Sequence, residues 1–218
     1  MPESASFSMR SKPNYRRRRT ISVLLLLVVA VIVVALLSRS GTNGKKENPI
    51  ARVAFVTKIV TQPQAKAPSA GANQANADAI VKMFNDYYQT AFVDPSKWGD
   101  GTFTGLQAHF VKEAQPAFTK DIASLTIGDA RTELKRVDPT TQTLTVTIYY
   151  DAKTRPYYAV AAATFAARGT MKETGPVLLI NQKATYYLHK VGNDWAITDY
   201  DASQTQVTPT PSPSPSAT

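Results

Sequence analysis

The sequence predicts an α+β protein in which N-terminal helices pack on a curved antiparallel sheet, with one transmembrane helix ahead of both. Apolar residues recur at helical spacing within residues 78–125, whereas side chains in residues 143–150 alternate with a period of two. The first pattern is typical of helices and the second of strands. Residues 21–37 form an unbroken apolar run, which is within the range of lengths that span a bilayer.

The apolar run is interpreted as a membrane anchor. It contains 14 Leu, Ile or Val residues and no charged residue. As a helix it would be about 25 Å long, close to the roughly 30 Å hydrocarbon core of a bilayer. Residues 16–19 are all arginine, and basic residues beside a span favour the cytoplasmic side. The alternative is a cleaved signal peptide, although the run is long for one and no A-x-A site follows.

The chain is expected to divide into five parts. They are a cytoplasmic basic tail (1–20), the transmembrane helix (21–37), a stalk and linker (38–77), an extracytoplasmic α+β domain (78–204) and a disordered Pro/Ser/Thr-rich tail (205–218). The linker is predicted because residues 61–77 contain no large apolar side chain. Residues 50–60 are rich in β-branched residues, and they are either a strand docked on the domain or part of a self-associating stalk.

Charge is distributed unevenly along the chain. Residues 1–66 contain 12 Lys or Arg and two acidic residues, whereas residues 67–218 contain 13 and 14, so a net +10 precedes a net −1. The basic excess therefore adjoins the predicted span, where anionic lipid head groups attract it. Because the domain has no basic excess, nucleic acid is disfavoured as a partner. The chain has no cysteine, which excludes disulfides and thiolate metal sites.

Two helices are expected in the first half of the domain. The first covers residues 78–92, and its apolar face is Ile80, Phe84, Tyr87 or Tyr88, and Ala91. The second covers residues 106–125, with Phe110, Ala114 and Phe118 on one side. Pro116 within it predicts a kink or two shorter helices, because proline disrupts a helix interior.

Strands are expected in the second half. They cover residues 130–137, 143–150 and 157–167, followed by a hairpin of residues 176–190 and 194–201. Gly192 and Asn193 form a two-residue turn of the kind that hairpins prefer. This turn places Leu188 opposite Ile197 and, in the same register, Tyr186 opposite Asp199. A one-residue slip would put Leu188 and Ile197 on opposite faces, which supports the register.

The end of this hairpin carries a family resemblance. Gly192, Trp195, Ile197 and Asp199 form the pattern G-x-x-W-x-I-x-D. Following two helices and a sheet, the pattern resembles the last strand of nuclear transport factor 2-like (SnoaL-like) domains. The resemblance implies a cone-shaped fold with helices in the concave side of the sheet.

The arrangement of tail, single span, linker and domain is similar to that of bitopic proteins of bacterial envelopes. These include Mce-associated membrane proteins of lipid-import systems and single-pass core subunits of conjugation and type IV secretion channels. The similarity implies a location in a bacterial plasma membrane, with the N-terminus in the cytoplasm. Because the fold hosts enzymes, ligand binders and scaffolds, it does not determine the function.

Candidate chemistry is sparse. The hairpin register places Tyr186 and Asp199 towards the core, where a desolvated carboxylate would bind a ligand or act as a general base. The alternative is that the strand has left the core by Asp199, which is then solvated. His109 and His189 lie far apart without a metal-binding spacing, and no G-x-S-x-G or phosphate-cradling glycine loop is present. No catalytic residue, metal or cofactor is therefore predicted.

Tyrosine doublets are the more unusual feature of the domain. On a strand each doublet sends one ring to each face. Tyr149, Tyr187 and one ring of the Tyr157–Tyr158 doublet, assigned to Tyr157, are therefore expected on the face away from the core. Aromatic rings on such a face are typical of partner surfaces. The alternative is that they stabilise cross-strand pairs over the alanine-rich strand.

Together these features favour a non-catalytic, membrane-anchored accessory or scaffold domain of an envelope transport or secretion complex. The expected partners are the lipid bilayer, other envelope membrane proteins and a second copy of the chain. The alternative is a small-molecule binding module that uses the cone as a pocket for an apolar ligand, or an enzyme of the SnoaL-like kind. A cone filled by Phe84, Tyr88 and Phe110 would argue against a pocket.

Overall fold

The computed structural model describes residues 49–173 and 177–209. The predicted basic tail, the predicted transmembrane helix, the start of the stalk and the end of the C-terminal tail lie outside the described residues. Within the described ranges, no helix combines the length and the apolar character that crossing a bilayer requires.

The described residues form an α+β domain, as the sequence predicts. The elements in chain order are β1 (Val56–Pro63), α1 (Ala70–Tyr88), α2 (Thr104–Gln107), α3 (Gln115–Lys120), α4 (Ile122–Leu125), β2 (Leu134–Tyr150), β3 (Pro156–Met171), β4 (Leu178–Val191) and β5 (Asp194–Val207). A π-helical turn over Gln89–Val93 extends α1, and 3-10 turns cover Pro95–Lys97 and Gly128–Thr132. Pro95 separates these turns, because a proline restricts the residue before it and Asp94 is extended.

The five strands form one sheet in the order β1-β2-β3-β4-β5. The strands expected to form an antiparallel sheet do so, whereas β1, whose place in the sheet the sequence left open, runs parallel to β2. The chain between these two strands contains α1 to α4, and a long crossover of this kind allows parallel pairing. The remaining neighbours are antiparallel hairpin partners.

Alternation along the strands defines two faces of the sheet. On β2, Leu144, Val146, Ile148 and Tyr150 are buried, as predicted, and we call their side the inner face. The residues between them are exposed or half-buried and lie on the outer face. The predicted strand at 157–167 is also confirmed, since it forms the greater part of β3.

The β4–β5 hairpin confirms half of the predicted register. Leu188 lies opposite Ile197, as expected. A β-bulge then leaves Thr198 unmatched, so that Tyr187 rather than Tyr186 lies opposite Asp199. The predicted pair of Tyr186 and Asp199 was therefore wrong, because one extra residue reverses the faces of all later residues of the strand.

Helix α1 begins eight residues before the predicted start of the domain. Residues 70–77, expected to be linker, form its first two turns, and residues 61–63 end β1. Ser69 caps the helix by accepting a hydrogen bond from Ala72 N at 3.3 Å. These turns consist of Ala, Gly, Asn and Gln and are largely exposed, so they lack the large apolar side chains at helical spacing that indicate a helix.

The chain from Thr104 to Leu125 is divided further than expected. Three short helices, α2 to α4, replace the single predicted helix, although Phe110, Ala114 and Phe118 are buried as predicted. The predicted strand at 130–137 begins late, because residues 128–132 form a 3-10 turn.

Residues 51–55 are held against the domain by side-chain amides. Gln89 accepts from Val53 N at 2.8 Å and donates to Ala51 O at 3.1 Å. Asn85 accepts from Phe55 N at 3.1 Å, and Val53 and Phe55 are buried. Of the two alternatives for residues 50–60, the docked one is therefore observed, and residues 56–60 belong to β1.

Candidate functional site

The interior between the helices and the inner face is filled by large side chains. Phe84, Tyr88 and Phe110, the residues expected to fill a closed cone, are at most 3% exposed. The ring centroid of Phe84 lies 4.9 Å from that of Tyr186, and Tyr88 lies 5.3 Å from Phe92. The interior therefore resembles a packed core of aromatic rings.

Three polar side chains lie within this aromatic core. The Tyr88 hydroxyl donates to Gln182 Oε1 at 2.6 Å and lies 3.3 Å from the Tyr186 hydroxyl. Gln182 Nε2 donates to Ser124 O at 3.3 Å and lies 3.4 Å from the Tyr186 hydroxyl. The three groups therefore satisfy one another, as buried polar groups must.

Burial also fixes the protonation of these tyrosines. Desolvation raises the pKa of Tyr88 and Tyr186 above the ordinary value, because the phenolate would be deprived of water. Both remain neutral hydroxyls near neutral pH, so neither can serve as a base there.

The proposed ligand-binding pair of Tyr186 and Asp199 is not brought together. Tyr186 is fully buried, whereas Asp199 is exposed and accepts from Tyr200 N at 2.8 Å. The bulge turns Tyr200 towards the interior in its place, and the Tyr200 hydroxyl donates to Asp121 Oδ2 at 3.0 Å. A sequence signal for this exists: the large apolar residues Trp195 and Ile197 are odd-numbered, whereas Tyr200 and Ala202 are even-numbered.

Neither histidine joins a reactive cluster. His109 is half-buried beside Tyr87, with ring centroids 6.0 Å apart, and burial lowers its pKa. His189 is exposed on the outer face. Residues 49–173 and 177–209 contain no group of three His, Cys, Asp or Glu side chains arranged to hold a metal ion.

The outer face carries a row of aromatic rings. The ring of Tyr158 lies 5.4 Å from that of Tyr149 and 5.2 Å from that of His189. Tyr187 lies on the same face, two residues before His189. The assignment of Tyr157 to this row was wrong, because Tyr157 shares the phase of the inner-face Ala159 and is 44% exposed at the strand end. Tyr158 takes its place.

Comparisons with known proteins do not show the family of this chain. No family model matches the chain, and no curated protein matches it. One similar solved structure, from Novosphingobium aromaticivorans DSM 12444, is provisionally described as a scytalone dehydratase. It is 14% identical, covers 66% of this chain and 94% of its own, and has a TM-score of 0.44. That likeness is too weak to argue from, so the class of this protein, an α+β domain with helices on one face of a five-stranded sheet, follows from the described elements alone.

Proposed function

We propose that the chain is a non-catalytic, membrane-anchored accessory or scaffold protein of a bacterial envelope complex for transport or secretion. Its domain would bind a partner through the outer face of the sheet. The observation that carries this proposal is the filled interior, in which Tyr88, Gln182 and Tyr186 are hydrogen-bonded to one another. We further propose that the domain belongs to the nuclear transport factor 2-like superfamily, which the arrangement of helices on one face supports.

The filled interior disfavours the alternative of a ligand pocket or an enzyme. A ligand would have to displace aromatic rings and break the hydrogen bonds that satisfy the buried hydroxyls, and each unpaired group would cost about 1–3 kcal/mol. Among the described residues, the Tyr186 hydroxyl meets Tyr88 and Gln182 and no carboxylate. The cluster of Tyr88, Gln182 and Tyr186 therefore contains no carboxylate or imidazole that could act as a base.

The outer face supports a partner surface. Tyr149, Tyr158 and His189 form a continuous aromatic row there, and Tyr187 lies beside it on the same face. Tyrosine offers a large contact area at a low cost in conformational entropy. The predicted partners are other envelope membrane proteins, and a second copy of the chain is the further candidate.

The docked residues 51–55 support a short tether to the predicted anchor. If residues 21–37 span the bilayer, residues 38–50 are the part of the sequence left between the span and the docked segment.

Photo-crosslinking in intact cells tests the proposal. A photoreactive phenylalanine analogue placed at Tyr158 is expected to crosslink to an envelope membrane protein. The matched control is the same analogue at Lys82, which is 78% exposed on α1 away from the sheet. Crosslinks only between copies of the chain would identify the partner as a second copy. Absence of any crosslink from Tyr158, or equal crosslinking from Lys82, would overturn the partner surface.

Protease protection tests the anchoring. In cells stripped of their wall, an added protease should degrade residues 49–209 and leave the N-terminal basic tail intact. Digestion of the basic tail with protection of the domain would contradict the proposed orientation.

A further inference from the structure

A surface depression lies away from the aromatic row, beside the loop that follows α1. It has a volume of about 410 Å³ and lies between the 94–101 loop, the 3-10 turn at Gly128–Thr132 and the adjoining ends of β2 and β3. Trp98 and Leu134 supply its apolar wall. We call it the Trp98 pocket.

The charges that line the Trp98 pocket are all positive. Arg131, Lys135 and Lys172 line it, and no carboxylate does. This is unexpected, because residues 67–218 carry one more acidic than basic residue. Three cations around one concave site raise the local concentration of anions, since the pocket walls exclude part of the screening water.

Arg131 is held in one position by the backbone. Its Nη1 donates to Gly128 O at 3.2 Å, and its Nη2 donates to Asp100 O at 3.1 Å. Its Cζ packs so closely on Gly101 that a Cβ added there would lie 2.3 Å away. Asp129 pairs with Nη1 at 3.3 Å, but its carboxylate is fully exposed, so the pair is weak.

Two further features indicate that donors remain for a ligand. A guanidinium has five N–H donors, and Arg131 uses three of them within the described residues. Trp98 is 3% exposed and forms part of the wall beside these groups. Lys172 Nζ is held at the rim by Thr132 O at 2.8 Å, and an ammonium has two further N–H donors. Arg131 and Lys172 therefore keep donors for a ligand.

We propose that the Trp98 pocket binds a phosphate group through Arg131, Lys135 and Lys172. A phosphate suits a fixed guanidinium because its oxygens accept from the planar fork, and the two ammonium groups complete the charge balance. The group would come either from free phosphate in solution or from the head group of an anionic phospholipid. The binding site is separate from the outer face and does not depend on the proposed partner.

Trp98 fluorescence provides the test. The full chain is prepared in dodecyl maltoside with Trp195→Phe, which leaves Trp98 as the only tryptophan. Inorganic phosphate at constant ionic strength should shift its emission saturably. Lys135→Glu should weaken the phosphate affinity by about 10-fold or more, which corresponds to about 1.4 kcal/mol. The control is Lys112→Glu, which makes the same charge change at an exposed residue outside the pocket and should alter the affinity less than about twofold.

The source of the phosphate group is distinguished with nanodiscs. If inorganic phosphate has no effect but phosphatidylglycerol nanodiscs shift Trp98 emission, and phosphatidylcholine nanodiscs do not, the ligand is a lipid head group. No shift with either probe would overturn the proposal. Equal weakening by Lys135→Glu and Lys112→Glu would also overturn it, since the attraction would then be that of the whole surface.

Discussion

The two faces of one sheet are made from alternating residues of the same strands, yet they differ in almost every physical respect. On β3, Ala161, Ala163 and Phe165 face the helices and are at most 3% exposed. Ala162 and Thr164, between them, lie on the outer face and contact water. The inner face is filled, and its Gln182 and Tyr186 are hydrogen-bonded to Tyr88 and to one another, whereas the outer face leaves aromatic rings accessible. The comparison teaches that side chains on the inner face stabilise the domain, whereas side chains on the outer face remain accessible to a partner.

Removing a ring from the inner face should have the largest effect. Phe165 packs 5.1 Å from Phe92 and 5.4 Å from Tyr88, so Phe165→Ala should lower the free energy of unfolding by about 3–5 kcal/mol. Thr164→Ala, its neighbour on the outer face, should change it by less than about 0.5 kcal/mol. Urea denaturation of both variants measures the difference. Similar values for the two would show that the faces are not distinct.

Alkaline pH should have the next largest effect on stability, through tyrosines buried against the inner face. Burial raises the pKa of Tyr87 and Tyr88 well above 10, so both stay protonated in the folded chain while the unfolded chain ionises. Stability from these groups is therefore complete below about pH 9 and falls as the tyrosines of the unfolded chain ionise, by about 2 kcal/mol between about pH 10 and about pH 11 from these two tyrosines. Urea denaturation across this range, with tyrosinate absorbance, measures the effect. Stability that is constant above pH 10 would contradict the burial of the two hydroxyls.

Removing a single hydroxyl from the interior that the inner face covers should have a smaller effect. Tyr88→Phe deletes the donor to Gln182 Oε1 and should cost about 1–3 kcal/mol, because the amide oxygen stays buried. Tyr149→Phe makes the same chemical change on the outer face and should cost less than about 0.5 kcal/mol. Thermal unfolding of the pair checks this. If Tyr88→Phe left the stability unchanged, water would have to reach the interior.

The smallest effect on stability, and the largest on recognition, is expected for the aromatic row. Tyr158→Ala removes contacts to Tyr149 and His189 and should cost no more than about 1 kcal/mol. Recovery of membrane partners from mild detergent should nevertheless fall strongly, while circular dichroism stays unchanged. Unchanged recovery would indicate that the aromatic row only stabilises cross-strand pairs.

Local patterns predicted the main elements but not their extent or every pairing. The alternation of Leu144 to Tyr150 and the helical spacing of Ile80 and Phe84 are visible in the sequence because each element repeats its own contacts with the core. The first turns of α1 were missed because their side chains face water. The parallel pairing of β1 with β2 was missed because residues about 87 apart in the chain, such as Val56 and Thr143, become neighbours.

The candidate site was harder to predict than the fold. Tyr186 was selected from the correct face, but its partners are Tyr88, 98 residues away, and Gln182. Asp199 was misplaced because a single bulge reverses the faces beyond Thr198. A site depends on a few side chains meeting within hydrogen-bond distance, so one register error removes it while the strand itself remains correct.

The sequence by itself determined the class of the domain, the buried positions of its main strands and helix, the absence of cysteine and the uneven distribution of charge. These follow from composition and from periods of two and about 3.6 residues, which are local properties of the chain. Only the tertiary structure decided that the interior is filled, that Tyr158 rather than Tyr157 joins the aromatic row, and that Arg131 and Lys172 line one pocket with Trp98. Those outcomes depend on distant segments packing together at one register, and no single segment encodes that register.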